Sequence, residues 1–189
     1  MENVAMKKVV LAMGLAMVLA AAAQAMSVTI EPSATTVNVG DMFTIEVLVA
    51  DATEPVEMLE VFATFDPALM SAEGAAEGGF IESQGGDLAE FVNLNNGAGT
   101  ISYTVLRMGP AGSTGSGTGA TFDFLCQGAG TSLIDYRVVL YKLDKTVLAD
   151  VTGSIEVTQG GGGVIPEPTT LALVASVLAA LGVVARKRS

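Results

Sequence analysis

Histidine and tryptophan are absent from this chain of 189 residues, and cysteine occurs once, at Cys126. Without histidine the chain lacks the commonest general base and the commonest metal ligand. A single cysteine excludes an internal disulfide and any zinc site built on several thiolates. Positive charge is scarce as well, with 9 lysines and arginines against 20 aspartates and glutamates. Five of the cations (Lys7, Lys8, Arg186, Lys187, Arg188) and two of the anions (Glu2, Glu167) lie near the termini. Taking these 5 from 9 and 2 from 20 leaves the middle with 4 cations and 18 carboxylates, a net charge of −14. That balance argues against nucleic acid as a partner, because neutralising phosphates takes clustered Lys and Arg.

What the chain has in excess is apolar residues, 50% of the total, with a mean hydropathy of +0.54. The surplus is local, in residues 9–25 and 171–185, and it brackets a more polar middle of roughly 130 residues, enough for one core without staples. At the N-terminus Lys7 and Lys8 precede an apolar run that ends in Ala23-Gln24-Ala25, with small residues where a signal peptidase requires them. Residues 1–25 therefore read as a signal peptide cleaved before Met26, which implies export. No cysteine follows the run, so lipoprotein processing is excluded.

The other end has a different order. Gly160, Gly161, Gly162 and Gly163 form a linker, Pro166-Glu167-Pro168 follows, and residues 171–185 are apolar up to Arg186, Lys187 and Arg188. Fifteen helical residues span about 22 Å, which with Thr169, Thr170 and snorkelling basic side chains just crosses a hydrocarbon core of about 30 Å. The basic cluster favours the cytoplasmic side and leaves the preceding domain outside. Pro166-Glu167-Pro168, the apolar helix and the terminal basic cluster together resemble the PEP-CTERM sorting signal of Gram-negative bacteria. The resemblance implies processing by an exosortase, a membrane helix that is only transient, and delivery to the cell surface or extracellular matrix.

The middle reads as β structure. Residues 28–31, 36–39, 43–49, 57–65, 88–94, 100–108, 121–126, 137–143 and 154–157 are short β-prone runs separated by Gly, Asp, Asn or Pro. Val39-Gly40-Asp41, Asp66-Pro67 and Asn95-Asn96-Gly97 supply turn chemistry. Such spacing predicts a two-sheet antiparallel sandwich over residues 26–159. Period-two parity puts Leu59, Val61, Ala63 and Phe65 on a core face and Met58, Glu60, Phe62 and Thr64 on the opposite one. By the same logic Ile101, Tyr103 and Val105 point inward while Thr104 and Leu106 point out. Phe122, Phe124 and Cys126 share a face, which makes Cys126 a small buried hydrophobe.

The order of four motifs in this middle is similar to that of cohesins. They are Val39-Gly40-Asp41 before a long strand, Phe65-Asp66-Pro67-Ala68-Leu69 ending another, Asn96-Gly97 leading into Gly99-Thr100-Ile101-Ser102-Tyr103, and Ala120-Thr121-Phe122-Asp123-Phe124 near Gly128. The resemblance covers about residues 28–157 and implies an all-β jelly-roll sandwich of about nine strands that binds dockerin modules. It also implies that Glu60 takes the place of the outward acidic or amide residue that meets the dockerin. Flanking Met58 and Phe62, with Thr104 and Leu106 on a second contact strand, complete the expected partner face. The chain departs from familiar cohesins in its acidity and in a Gly/Ser-rich stretch, residues 109–119, read here as a loop.

Catalytic readings are weaker. Glycosidase carboxylates must face each other across a cleft about 5 to 10 Å wide, and Glu57 and Glu60 have opposite strand parity. Glu73 and Glu77 are the other carboxylate pair on offer, and a solvated acidic surface accounts for both pairs. Residues 112–119 lack the lysine and following helix of a phosphate loop, and no EF-hand spacing is present. The expectation is a non-catalytic module without cofactor or metal. Two function classes stay open: a protein-binding module for a dockerin-bearing or other extracellular protein, and a polysaccharide-binding or structural matrix protein. Missing tryptophan leans toward the first, since sugar platforms use exposed aromatic rings.

Overall fold

The computed structural model describes residues 26–109 and 111–161. The expected signal peptide, Pro166-Glu167-Pro168, the C-terminal helix and its basic cluster lie outside the described residues. Ten strands follow one another: β1 (Ser27–Pro32), β2 (Thr36–Asn38), β3 (Met42–Val56), β4 (Met58–Thr64), β5 (Met70–Glu77), β6 (Asp87–Asn95), β7 (Thr100–Met108), β8 (Ser113–Cys126), β9 (Gly130–Tyr141) and β10 (Val147–Gly160). They form a four-stranded sheet, β1-β3-β8-β5, and a six-stranded sheet, β2-β10-β9-β4-β7-β6. All pairings are antiparallel except β2 with β10, where a three-residue strand pads the edge in parallel. Among the described residues no helix is long and apolar enough to cross a membrane.

The core lies between the sheets and is built by alternation. Phe43, Ile45, Val47 and Val49 from β3 and Phe122 and Phe124 from β8 face Leu59, Val61 and Ala63 from β4, Ile101, Tyr103 and Val105 from β7, and Ile134 and Val138 from β9. Every one of the parity assignments made for β4, β7 and the end of β8 holds, and Cys126 is a buried free thiol. Burial, and secondarily the Asp41 carboxylate, raises that thiol's pKa, so it is poorly reactive. Phe124 stacks on Phe43 with ring centroids 5.3 Å apart and meets Phe65 edge-on at 5.5 Å.

The turns read from the sequence are present. Gly40, with φ +92°, links β2 to β3, and Asp41 N–H donates to the Asn38 carbonyl. The Asp66 side chain accepts the Ala68 N–H at 2.9 Å and sets the bend after β4. In the turn between β6 and β7, Gly99, at φ +63°, lies against the Phe65 carbonyl just past the end of β4, with no room for a Cβ. Several features differ from the expectation, among them the starts of β9 and β10, each seven residues earlier than the runs at 137–143 and 154–157. β5 is an unforeseen strand, and the stretch taken for a loop at residues 109–119 instead enters β8 at Ser113. Gly160, taken as linker, closes β10.

Candidate functional site

The outer face of the six-stranded sheet carries all five residues expected to meet a partner. Pairing of β4 with β7 sets Met58 opposite Leu106, Glu60 opposite Thr104 and Phe62 opposite Ser102. These side chains therefore form one contiguous patch, with Phe62 exposed (43%) and the other four half-buried. Alternation alone does this: Leu59, Val61, Ala63, Tyr103 and Val105 are fixed inward by the core, so their neighbours have no choice but the outer face.

Strands that sequence reasoning had not assigned to the face enlarge it. β9 lies on the other side of β4 and places Tyr141 beside Met58, Val139 beside Glu60 and Arg137 beside Phe62. β6 adds Phe91 opposite Thr104 and Ala89 opposite Leu106, and Phe91 is 63% exposed. Val139 sits outside the core cluster and is nonetheless buried, which means the longer side chains around it cover it. The missing signal was order across the sheet: parity gives each strand its outward residues, but not that β9 is the neighbour of β4.

Charge on this patch is organised. Arg137 donates from Nε and Nη2 to the two carboxylate oxygens of Asp150 at 2.9 and 2.7 Å. That bidentate pair raises the arginine's pKa and holds the Asp150 carboxyl below its usual range. Tyr141 is pushed up by desolvation first and then by the neighbouring Glu60 carboxylate. Glu60 itself has no cation bound to it among the described residues. Beside Phe62 the surface sinks into a depression of about 410 Å³, whose lining includes Thr64, Asn93, Ser102, Asp135 and Arg137.

The carboxylates weighed as catalytic pairs are otherwise engaged. Glu73 accepts from Ser71 Oγ at 2.5 Å, and Glu77 gathers the N–H groups of Gly79 and Ile81 at 2.5 and 2.6 Å, fixing the turn after β5. Glu57 precedes β4 and accepts from the Leu143 N–H, away from Glu60 on the sheet. Among the described residues no cluster of three or more carboxylate, thiol or imidazole groups could hold a metal ion.

Comparison with solved structures places this architecture. A type II cohesin domain from the cellulosome of Acetivibrio cellulolyticus superposes with a TM-score of 0.57 at 14% identity, over 70% of this chain and 95% of that one. The fold is that of cohesin modules. A type I cohesin from Clostridium thermocellum, solved as a cohesin–dockerin complex, gives a TM-score of 0.58 at 13% identity over 72% of this chain and all of that one. A non-cellulosomal cohesin from the archaeon Archaeoglobus fulgidus gives 0.57 at 10% identity, over 74% and 94%. No protein-family model matches the chain, and neither does any curated protein. At these identities the cohesin likeness is one of fold, and residues have to argue for any site themselves.

Proposed function

We propose that the protein is an exported, non-catalytic binding module that holds a dockerin-bearing extracellular protein on the outer face of its six-stranded sheet. The observation that carries this reading is the apolar patch of Met58, Phe62, Leu106 and Phe91 around the Glu60 carboxylate, which has no cation bridged to it among the described residues. An apolar centre with one polar anchor is the anatomy of a protein interface rather than of idle surface. Cohesin folds solved with dockerins lend support, among them the type I complex from Clostridium thermocellum. Titration of the chain with dockerin modules tests it: saturable 1:1 heat supports the reading. Retention on extracellular polysaccharide with no dockerin binding would favour the matrix alternative instead.

The route to the surface is part of the proposal. Signal peptidase removes residues 1–25, the helix at 171–189 holds the chain in the membrane in passing, and an exosortase cuts near Pro166-Glu167-Pro168. Intact mass of protein collected from cell surfaces should correspond to a chain that starts at Met26 and ends near Pro168. A recovered chain that still carries Arg186, Lys187 and Arg188 would end the sorting claim.

A further inference from the structure

Two open sheets leave edge strands, here β1 and β5 on the smaller sheet and β2 and β6 on the larger. An edge strand offers unpaired N–H and C=O groups to any passing chain, and soluble proteins blunt it by shortness, proline, bulges or lysine. β1 is six residues long and ends in Pro32, β2 has three residues, and β5 slips register against β8 between Ala72 and Gly74. β6 has no such device. Its nine residues from Asp87 to Asn95 include no proline or lysine and run against β7 without a register shift. Phe91 and Val92 at its middle are 63% and 47% exposed. The charge beside them, Glu90, is drawn inward, where its carboxylate accepts from the Tyr103 hydroxyl and the Glu77 N–H, both at 3.0 Å.

Alternation names the free groups on β6. The Arg107 N–H donates to the Glu57 carbonyl and the Phe65 N–H to the Gly99 carbonyl, so odd-numbered residues of β7 bond toward β4 and even-numbered ones toward β6. Thr100 stands opposite Asn95 and Thr104 opposite Phe91, which turns the odd-numbered residues of β6 to β7. Leu88, Glu90, Val92 and Leu94 therefore aim their N–H and C=O out of the sheet. No other backbone group among the described residues meets them there.

We propose that β6 pairs antiparallel with β6 of a second copy of this chain, about a two-fold axis at Phe91, so that two six-stranded sheets join into one. Self-complementarity of the strand favours a second copy as the occupant. With Phe91, the middle residue of β6, opposite its own counterpart, full overlap sets Leu88 against Leu94 of the second copy and Glu90 against Val92 as hydrogen-bonded pairs, and Asp87 against Asn95. No carboxylate then faces a carboxylate, whereas an axis moved to Glu90 would set two of them opposite each other. Phe91 falls on a non-hydrogen-bonded position, where opposed Cα atoms lie about 4.5 Å apart and two exposed rings cover each other. One strand edge and one aromatic pair bury less than the roughly 1,200 Å² of a stable complex, so the dimer is transient, with a dissociation constant of about 10 to 100 µM. The pairing rests on the strand edge and stands whether or not a dockerin occupies the face.

Disulfide trapping in the full chain, at about 100 µM in mild detergent that keeps the apolar ends apart, reads such a dimer. Phe91→Cys puts one thiol on the axis at a separation a disulfide can bridge, and the native Cys126 is buried out of reach. Diamide should convert this variant to a cross-linked dimer. Asn93→Cys is the register control: its thiol is on the same face, but the two copies stand about 14 Å apart along the strands, so trapping should be slower by about tenfold or more. Val92→Pro added to Phe91→Cys deletes an N–H that bonds nothing in the monomer, and should slow trapping by about fivefold or more with the fold confirmed by circular dichroism. Trapping at Asn93 as fast as at Phe91 overturns the register and points to chance collision. No trapping at Phe91, or a folded Val92→Pro variant that traps at an unchanged rate, overturns the pairing and leaves the edge to an extended segment of another protein.

Discussion

Tyr103 and Phe124 show how single side chains commit to the interior. Tyr103 is fully buried, meets Phe122 edge-on at 5.6 Å, and sends its hydroxyl 3.0 Å to Glu90 at the rim. Burial first, then the hydrogen bond and charge of Glu90, raise its pKa far above that of a free phenol. An unfolded tyrosine ionises near 10, so above that pH the unfolded state loses a proton that the folded state keeps, and stability falls as pH rises. Urea midpoints measured from pH 9 to 12 should therefore decline, and Tyr103→Phe should flatten the decline. Unchanged slopes would mean that the phenol is not confined. Phe124→Ala should cost about 3 to 5 kcal/mol, since it empties the space between Phe43 and Phe65, whereas Thr64→Ala on the outer face should cost little. Equal denaturation midpoints for the two variants would contradict the packing.

Elements were legible in proportion to how far their residues declare a strand by themselves. β4, β7 and the end of β8 alternate large apolar and polar side chains, and their faces follow from sequence alone. β5 reads Met-Ser-Ala-Glu-Gly-Ala-Ala-Glu, with little intrinsic strand preference, and is a strand because β8 pairs with it from Cys126 back to Ala120. The first half of β8, with Gly115, Gly117 and Gly119, looks like a loop for a steric reason that only the packed sheets reveal. A Cβ at Gly119 would come within 2.6 Å of Leu59 Cδ1 in the opposite sheet, so glycine there permits the sheets to approach. Gly119→Val should accordingly destabilise by about 1 to 3 kcal/mol through overpacking, with a fall in urea midpoint as the measurement. A midpoint equal to that of the parent would show that Leu59 yields freely. The candidate face was legible for the same reason as the core, its residues being the alternates of buried ones. Tyr141, Val139 and Phe91 were not, because strand order is a non-local property.

At the scale of the whole molecule the question is what a domain with a net charge of −14 offers a partner. Long-range attraction favours a basic partner, but steering changes encounter rates more than affinity, and it fades with salt. Affinity has to come from the desolvated centre of the patch. Phe62 contributes area there, and Glu60 contributes orientation, for it is the carboxylate of the patch without a cation of its own while Asp150 is already held by Arg137. Truncating Glu60 to alanine should leave a partner's cation or hydroxyl unpaired at a cost of about 1 to 3 kcal/mol, or roughly 5- to 150-fold in affinity. Phe62→Ala should cost a similar amount through lost contact area. Glu156 serves as the control: it is exposed on the same sheet, on β10 opposite Leu133 and away from the patch. Its replacement by alanine should change affinity by less than about twofold, and mainly the salt dependence of association. Titration calorimetry with a dockerin module at two salt concentrations, after circular dichroism has confirmed folding, measures all three. If folded Glu60→Ala and Phe62→Ala bind like the parent, the partner lies elsewhere on the sandwich, and the cohesin fold here serves a different surface.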